Sequence, residues 1–327
     1  MILLVKYNLV YYAYVQAKGQ LRIISGSIKV SEVLSDSEFP DSLKAKILLI
    51  EEAKQFAVNE LGLKGIKNYT SFYDQKGKEL MWVVTACPPF ELEAYEWKFP
   101  ILGTFSYKGY FMKEMAEKEA EKLKKTGLDV SIRTADGWST LGILKDPILS
   151  NMLLRNEGSL ADLIIHELTH GTIFVKDSLA FNENLASFIG KTGADIFLSS
   201  RFGKDSKELY EFNIRNQDRK YFTEYVLKGA DKLDSLYKSF SSGDSYDEKI
   251  NRKEELLNTF KEDVKTIAFN NKEFYHHYFD DFAPDNTFFM SFIRYRGEQS
   301  VFENELNNSF GGDLKKYIEK LKLQFGK

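Results

Sequence analysis

The sequence is short of the residues from which disulfides and sulfur-rich metal sites are built. It contains one cysteine, Cys87, so an intrachain disulfide and a four-cysteine zinc site are both excluded. An excess of one charge is lacking as well, because 45 Lys and Arg residues oppose 48 Asp and Glu residues and leave a net charge of -3. Such a chain has no global basic field, and we therefore expect no nucleic-acid partner.

An apolar run long enough to span a membrane is also lacking. The start, MILLVKYNLVYYAYVQ, is apolar for about fifteen residues, which is shorter than the roughly 20 that a spanning helix needs. It shows neither the basic region nor the cleavage site of a signal peptide. We interpret it as a trimmed or misplaced start, or as an amphipathic first helix; membrane association through this N-terminal segment is the alternative.

The composition of the whole sequence is typical of a globular protein with a substantial core. Hydrophobic residues make up 43% of the 327 residues, and aromatic residues make up 14%. Single cores stop growing near about 250 to 300 residues, so the length predicts two domains or one elaborated domain.

The first half of the chain alternates between helix and strand patterns. Residues 41–61 carry apolar side chains at helical spacing behind an Asp41-Ser42 start signal. Short runs rich in aromatic and β-branched residues predict strands at 68–74, 79–87, 97–105, 128–134 and 138–144. A helix is predicted from about residue 109 to 125, ending at Gly127. Residues 68–145 therefore predict a small sheet interrupted by one helix.

The second half of the chain has a helical pattern almost throughout. Helices are predicted at 159–172, 179–200, 206–240, 248–269 and 286–324. The predicted fold class is α+β, with an N-terminal α+β part at 1–150 that carries a small mixed sheet. A mainly helical part at 151–327 completes one integrated catalytic unit.

The run His166-Glu167-Leu168-Thr169-His170 lies inside an apolar segment and carries the clearest chemical signal. Residues four apart lie on one face of a helix, so both imidazoles can reach one zinc ion. Glu167 directly follows the first ligand, where its carboxylate can take the proton of a zinc-bound water and pass it to the leaving amine. The alternative is a helix with two structural histidines, and the apolar context favours the metal site.

Two histidines and one carboxylate form a common ligand set for catalytic zinc, and Glu183 is the predicted third ligand. It lies in the run DSLAFNENLASFIG, which predicts a second helix that begins after Asp177 or Ser178 as N-cap. A short turn would place this helix antiparallel to the first. Asn182 and Asn184 flank Glu183 and are candidates for supporting it.

These motifs resemble the gluzincin zinc peptidases, in which an N-E-x-x-A run supplies the glutamate, as residues 182–186 do here. More narrowly, the chain resembles a bacterial family of predicted aminopeptidases. The shared runs include NYTSF at Asn68, STLG at Ser139, DP at Asp146-Pro147 and the zinc block. The resemblance implies a gluzincin-like pair of active-site helices, zinc as the cofactor and metallopeptidase chemistry.

The resemblance also suggests how a peptide substrate is bound. Such peptidases add an extended peptide to an exposed strand edge, and the strand with Ser139, Thr140 and Gly142 is the candidate here; an ordinary core strand is the alternative. The C-terminal pattern of the family matches Asn286 and Tyr295, and Tyr295 is a candidate phenolic donor to the oxyanion. A structural tyrosine at that position is the alternative.

The resulting functional hypothesis is a zinc metallopeptidase with aminopeptidase-like activity. One alternative is a metal-bearing binding or scaffold protein of the cell envelope without turnover, and another is a metal-dependent hydrolase of non-peptide amides. The resemblance implies a location in the bacterial envelope, either periplasmic or lipid-anchored, whereas a cytoplasmic location follows if Met1 is the true start. The oligomeric state stays open.

Overall fold

A computed structural model describes residues 2–65, 67–99, 103–134, 145–176, 178–293 and 298–326. The helices in these ranges are α1 Ile2–Ser25, α2 Val30–Ser35, α3 Asp41–Asn59, α4 Lys113–Lys124, α5 Glu157–Thr172, α6 Leu179–Phe202, α7 Lys207–Lys238, α8 Tyr246–Asp263, α9 Lys272–His276, α10 Asn286–Ile293, α11 Glu298–Phe310 and α12 Leu314–Phe325. The strands are β1 Ile28–Lys29, β2 Ser71–Tyr73, β3 Trp82–Cys87, β4 Trp97–Phe99, β5 Gly103–Phe105, β6 Lys108–Tyr110, β7 Asp129–Thr134 and β8 Ile148–Leu149. The protein is α+β, with small sheets and a helical C-terminal region, as the sequence predicts.

The chain forms two compact units, each built from segments that are far apart in the sequence. Unit 1 contains residues 1–80, 136–213 and 297–327, and unit 2 contains residues 81–135 and 214–296. Each unit therefore draws residues from both predicted parts, 1–150 and 151–327.

Helix α5 is the centre of unit 1. The Asn156 side chain caps it by accepting a hydrogen bond from the Ser159 backbone N–H over 2.9 Å. Its apolar residues recur at helical spacing and are fully buried, at Leu160, Ile164 and Leu168. Helices α3 and α6 pack against α5, and α11 and α12 pack against α6. The three-stranded sheet of this unit has the order β1-β2-β8.

Unit 2 combines an antiparallel sheet with an aromatic helical core. The sheet has the order β6-β3-β7, and both α4 and α10 pack against it. Phenylalanine side chains from α7, α8 and α10 form the centre of the helical core, including Phe222, Phe260 and Phe289. The ammonium group of buried Lys253 lies 2.5 Å from the Asp129 carboxylate.

The prediction of one sheet over residues 68–145 is wrong, because the strands that the structure describes separate into three small sheets. Strand β2 pairs antiparallel with β1 and parallel with β8 in unit 1, while β3 pairs with β6 and β7 in unit 2. Strands β4 and β5 form a hairpin of their own. The predicted strand at 138–144 lies outside the described residues.

Several predicted helix boundaries also differ from the structure. The helix expected from residue 109 begins at Lys113, because residues 108–110 pair with β3 as β6. The helix expected at 286–324 is divided, and Gly311 and Gly312 separate α11 from α12 with φ angles of 59° and 82°. Ser42 does not cap α3, whose N-cap is Pro40.

Helix α1 contains the apolar N-terminal run. Its Val15 and Ile23 side chains are buried, whereas Val10, Tyr14 and Leu21 are exposed. Within the described residues, no helix combines the length and the apolarity that crossing a membrane requires.

Candidate metal centre

Helix α5 presents His166 and His170 on one face, one turn apart. Their imidazole rings have centroids 4.7 Å apart and are nearly perpendicular, with an interplanar angle of 85°. The two Nε2 atoms are separated by 3.0 Å. The local helical spacing is thus sufficient to direct two nitrogen ligands to one point.

Helix α6 brings Glu183 to the same point. Its Oε1 lies 3.4 Å from His170 Nε2, and its Oε2 lies 3.6 Å from His166 Nε2. Together these three residues form a group of ligand atoms that could hold a metal ion.

Close packing of α5 and α6 depends on a small residue at position 190. A Cβ atom at Gly190 would lie 2.6 Å from Asp162 Oδ1, 2.9 Å from the Asp162 carbonyl oxygen and 3.1 Å from His166 Cβ. Glu183 is beside His166 and His170, whereas Gly190 is beside Asp162, so the two helices run antiparallel as expected. Gly190 lies outside the motifs that predict the site, although a glycine inside a helical pattern is itself a signal of close approach.

Asn182 fixes the connection between the two helices. Its Oδ1 accepts a hydrogen bond from the Val175 backbone N–H over 2.8 Å, and its Nδ2 donates to the Val175 carbonyl oxygen over 2.7 Å. Asn182 is 3% exposed, so both bonds are shielded from water. Ser178 precedes the first residue of α6, but its side chain makes no capping hydrogen bond. The neighbouring Asn184 donates to the Ala180 carbonyl oxygen.

The two imidazole nitrogens and the Glu183 carboxylate have a spacing that suits a tetrahedral zinc ion. Bonds of about 2.0 to 2.1 Å place the ligand atoms of a tetrahedral site about 3.3 to 3.4 Å apart. The two Nε2 atoms are 3.0 Å apart, and each lies 3.4 or 3.6 Å from its nearer carboxylate oxygen, Oε1 for His170 and Oε2 for His166, so the separations bracket this value. Two imidazole nitrogens and one carboxylate oxygen also form a ligand set that zinc favours, and they leave a fourth position for water or substrate.

Electrostatics within the cluster favour a cation. Burial opposes the charge of Glu183, but hydrogen bonds from His166 and His170 outweigh it and hold the pKa of the Glu183 carboxyl well below its usual value. Burial lowers the pKa of His166, yet the hydrogen bond with Glu183 and the charges of Glu167 and Glu183 leave this pKa raised. A positive charge at the centre, either a proton or a metal ion, is therefore stabilised.

Glu167 lies on α5 directly after the first histidine and is half-buried. Its carboxylate forms no hydrogen bond or ion pair within the described part of the chain. An acceptor that the fold leaves unused, next to residues that could hold a metal ion, is available to take a proton from water.

The remaining residues of the predicted site separate into two groups. Ser139, Thr140, Gly142 and Tyr295 lie outside the described residues, and their roles stay predictions. Asn286 lies in unit 2, where it is fully buried and donates to the Pro88 and Glu91 carbonyl oxygens.

The two histidines outside the HExxH run also lie in unit 2. His276 contacts the Ile267 carbonyl oxygen, and His277 contacts Asp280.

Comparison with known proteins finds a family whose model matches nearly the whole chain. The model of the family described as "Putative aminopeptidase" matches residues 11–325. No curated protein and no solved structure matches the chain significantly.

Proposed function

The chain belongs to the family described as "Putative aminopeptidase", and from this premise we propose that it is a zinc-dependent peptidase. In this proposal His166, His170 and Glu183 hold the zinc ion, and Glu167 is the general base and acid. The family description supports peptidase activity, and the zinc chemistry is our extension of it.

The convergence of three ligand atoms from two helices is the observation that carries this proposal. Two neutral imidazoles and one carboxylate offer lone pairs to the same point, and such an arrangement is stable only around a proton or a cation. The spacing of 3.0 to 3.6 Å suits an ion with zinc's bond length.

A bound zinc ion supplies a Lewis acid that polarises a carbonyl group and lowers the pKa of water towards neutrality. Glu167 accepts a proton from the attacking water as the water oxygen bonds to the carbonyl carbon. Glu167 then delivers this proton to the amide nitrogen as the carbon–nitrogen bond breaks, so the products are a carboxylic acid and an amine. Peptide binding along the strand that the sequence predicts at Ser139, Thr140 and Gly142 is part of the same proposal.

Two substitutions test the separate roles of ligand and base. His166→Ala should lose bound zinc, as measured by elemental analysis of the purified protein. Glu167→Gln should retain zinc but cleave peptides about 10² to 10⁴ times more slowly. If Glu167→Gln cleaved as fast as the parent, the assigned mechanism would be wrong.

The substrate is tested with mixed synthetic peptides, with cleavage positions scored by mass spectrometry. Loss of single residues from the N-terminus, blocked by N-acetylation, would support aminopeptidase activity, whereas internal cleavage would show an endopeptidase. A zinc-loaded protein that cleaves no peptide would instead support a metal-bearing scaffold protein. Turnover restricted to non-peptide amides would support the third hypothesis.

A further inference from the structure

Unit 2 contains a cavity of about 520 Å³ that the proposed peptidase chemistry does not involve. The described residues that line it belong to strands β3 and β7, to helix α10 and to the segments around Ala94 and 278–282. None of them belongs to the candidate metal centre, whose residues are in unit 1. Small-molecule sites commonly have volumes of about 300 to 1,000 Å³, so the cavity has the size of a ligand site.

The strand side of this cavity is polar. Asp129, Ser131 and Arg133 alternate along β7, so their side chains point to one face of the sheet. The Asp129 carboxylate accepts a hydrogen bond from the Asn286 backbone N–H over 3.2 Å, so this face is directed towards the start of α10. Thr85 of β3 pairs directly with Ser131, and its side chain is therefore on the same face. Two hydroxyl groups and a guanidinium group line this side of the cavity.

The fold does not use these three polar groups. The side chains of Thr85, Ser131 and Arg133 form no hydrogen bond or ion pair with any residue that the structure describes. Arg133 is exposed, whereas Thr85 and Ser131 are half-buried, so the guanidinium group lies at the mouth of the cavity and the hydroxyl groups lie deeper. An unpaired guanidinium group attracts an anion, and its planar set of N–H donors matches a carboxylate.

The helical side of the cavity is apolar. The Phe288 ring centroid lies 5.4 Å from that of Phe282 and 5.1 Å from that of Phe292, so the three rings form a continuous wall. Ser291 of α10 also lines the cavity, but its hydroxyl donates to the Phe288 carbonyl oxygen over 2.6 Å. Such a wall suits an aromatic ring, because aromatic pairs favour edge-to-face and offset contacts at these distances.

We propose that unit 2 has a binding site for a carboxylate that carries an aromatic ring. The carboxylate pairs with Arg133 at the mouth, and the ring packs against Phe288 inside the cavity. The Thr85 and Ser131 hydroxyl groups hydrogen-bond to polar atoms between these two parts of the ligand. Both a free aromatic acid and the C-terminal residue of a peptide have this chemistry. The site does not depend on the zinc chemistry, so either proposal can fail without the other.

N-acetylphenylalanine and its amide test the proposal, because they differ only in the terminal carboxylate. Calorimetry with the zinc-loaded parent should show that the acid binds at least about tenfold more tightly than the amide. Arg133→Gln should abolish this preference and leave the affinity for the amide unchanged. Arg219→Gln is the matched control, because Arg219 is an exposed arginine of unit 2 that does not line the cavity, and it should keep the preference.

A second variant tests the aromatic wall, and a third compound identifies the source of the ligand. Phe282→Ala should weaken binding of the acid and the amide by the same factor, because it removes a ring and no charge. Phe282 is 38% exposed, so this variant should fold. Tighter binding of N-acetylphenylalanine than of 3-phenylpropionate would identify a peptide C-terminus as the ligand, and the reverse order would identify a free aromatic acid.

The proposal would be refuted if the parent bound none of these compounds at millimolar concentration. An unchanged preference for the acid in Arg133→Gln would refute it as well. Each titration is repeated with a chelator, and binding that disappears with the zinc would place the acid at the metal centre and overturn the assignment to unit 2. Thermal unfolding without ligand should be equal in the parent and in Arg133→Gln, and a lower unfolding temperature in this variant would indicate a structural role for Arg133 instead.

Discussion

Replacing Glu183 by glutamine separates the ligand role of its carboxylate from its role in packing, because the shape of the side chain is kept. In the parent, both carboxylate oxygens face imidazole nitrogens at 3.4 and 3.6 Å. Replacing a residue that only orients a metal ligand weakens metal binding about 10 to 100-fold. Removing the charge of a proposed direct ligand should therefore weaken zinc binding at least about 100-fold.

The effect on stability follows from linkage between zinc binding and folding. At free zinc of about 1,000 times the parent's Kd, zinc stabilises the parent by about 4.1 kcal/mol relative to its metal-free form. At the same zinc concentration, a variant with 100-fold weaker binding gains only about 1.4 kcal/mol. For folded units of about 150 to 250 residues, each kcal/mol shifts Tm by about 2 to 4 °C. The zinc-induced shift should therefore be about 5 to 11 °C smaller in Glu183→Gln.

The assay is thermal unfolding of each protein with chelator and with buffered zinc. Each variant is compared with its own metal-free form, because the substitution also removes hydrogen bonds between Glu183 and the histidines. Glu167→Gln is the matched control: it makes the same chemical change one residue after a ligand and should keep the full shift. An equal zinc-induced shift in Glu183→Gln and the parent would refute Glu183 as a ligand.

Two further substitutions test packing inside each unit, the first in unit 1 and the second in unit 2. Gly190→Ala should reduce the free energy of unfolding by about 1 to 3 kcal/mol and weaken zinc binding, because the added Cβ would lie 2.9 Å from the Asp162 carbonyl oxygen. Denaturant unfolding and zinc titration measure both effects, and Gly243→Ala, with its nearest atom at 3.7 Å, should change neither. Lys253→Met should destabilise the protein by about 3 to 5 kcal/mol, because it leaves the Asp129 carboxylate without its ion pair. Combining it with Asp129→Asn should recover part of the loss, and strictly additive losses would contradict this coupling.

The helical half of the chain could be predicted because its signals are local. Helices expected at 159–172, 179–200 and 206–240 occur at Glu157–Thr172, Leu179–Phe202 and Lys207–Lys238. The ligand spacing is local too, since His166 and His170 are one turn apart on one helix. Glu183 follows after a single turn, so its approach to the histidines depends only on the packing of two consecutive helices.

Strand pairing could not be predicted in the same way. Phe72 in β2 pairs with Ile148 in β8, although β3 is the next long strand in the sequence. Strands of two or three residues carry too little pattern to select a partner, and the selection depends on which unit buries their side chains. The sequence pattern indicates that strands exist, whereas their partners depend on contacts between distant segments.

Asn286 shows why motif positions alone do not identify functional residues. It lies in a run that the family resemblance includes, yet the fold uses its polar groups to join buried segments of the chain. Asn286 donates through Nδ2 to two carbonyl oxygens and accepts from the Tyr237 hydroxyl over 2.7 Å, so its side chain has little capacity left for a ligand.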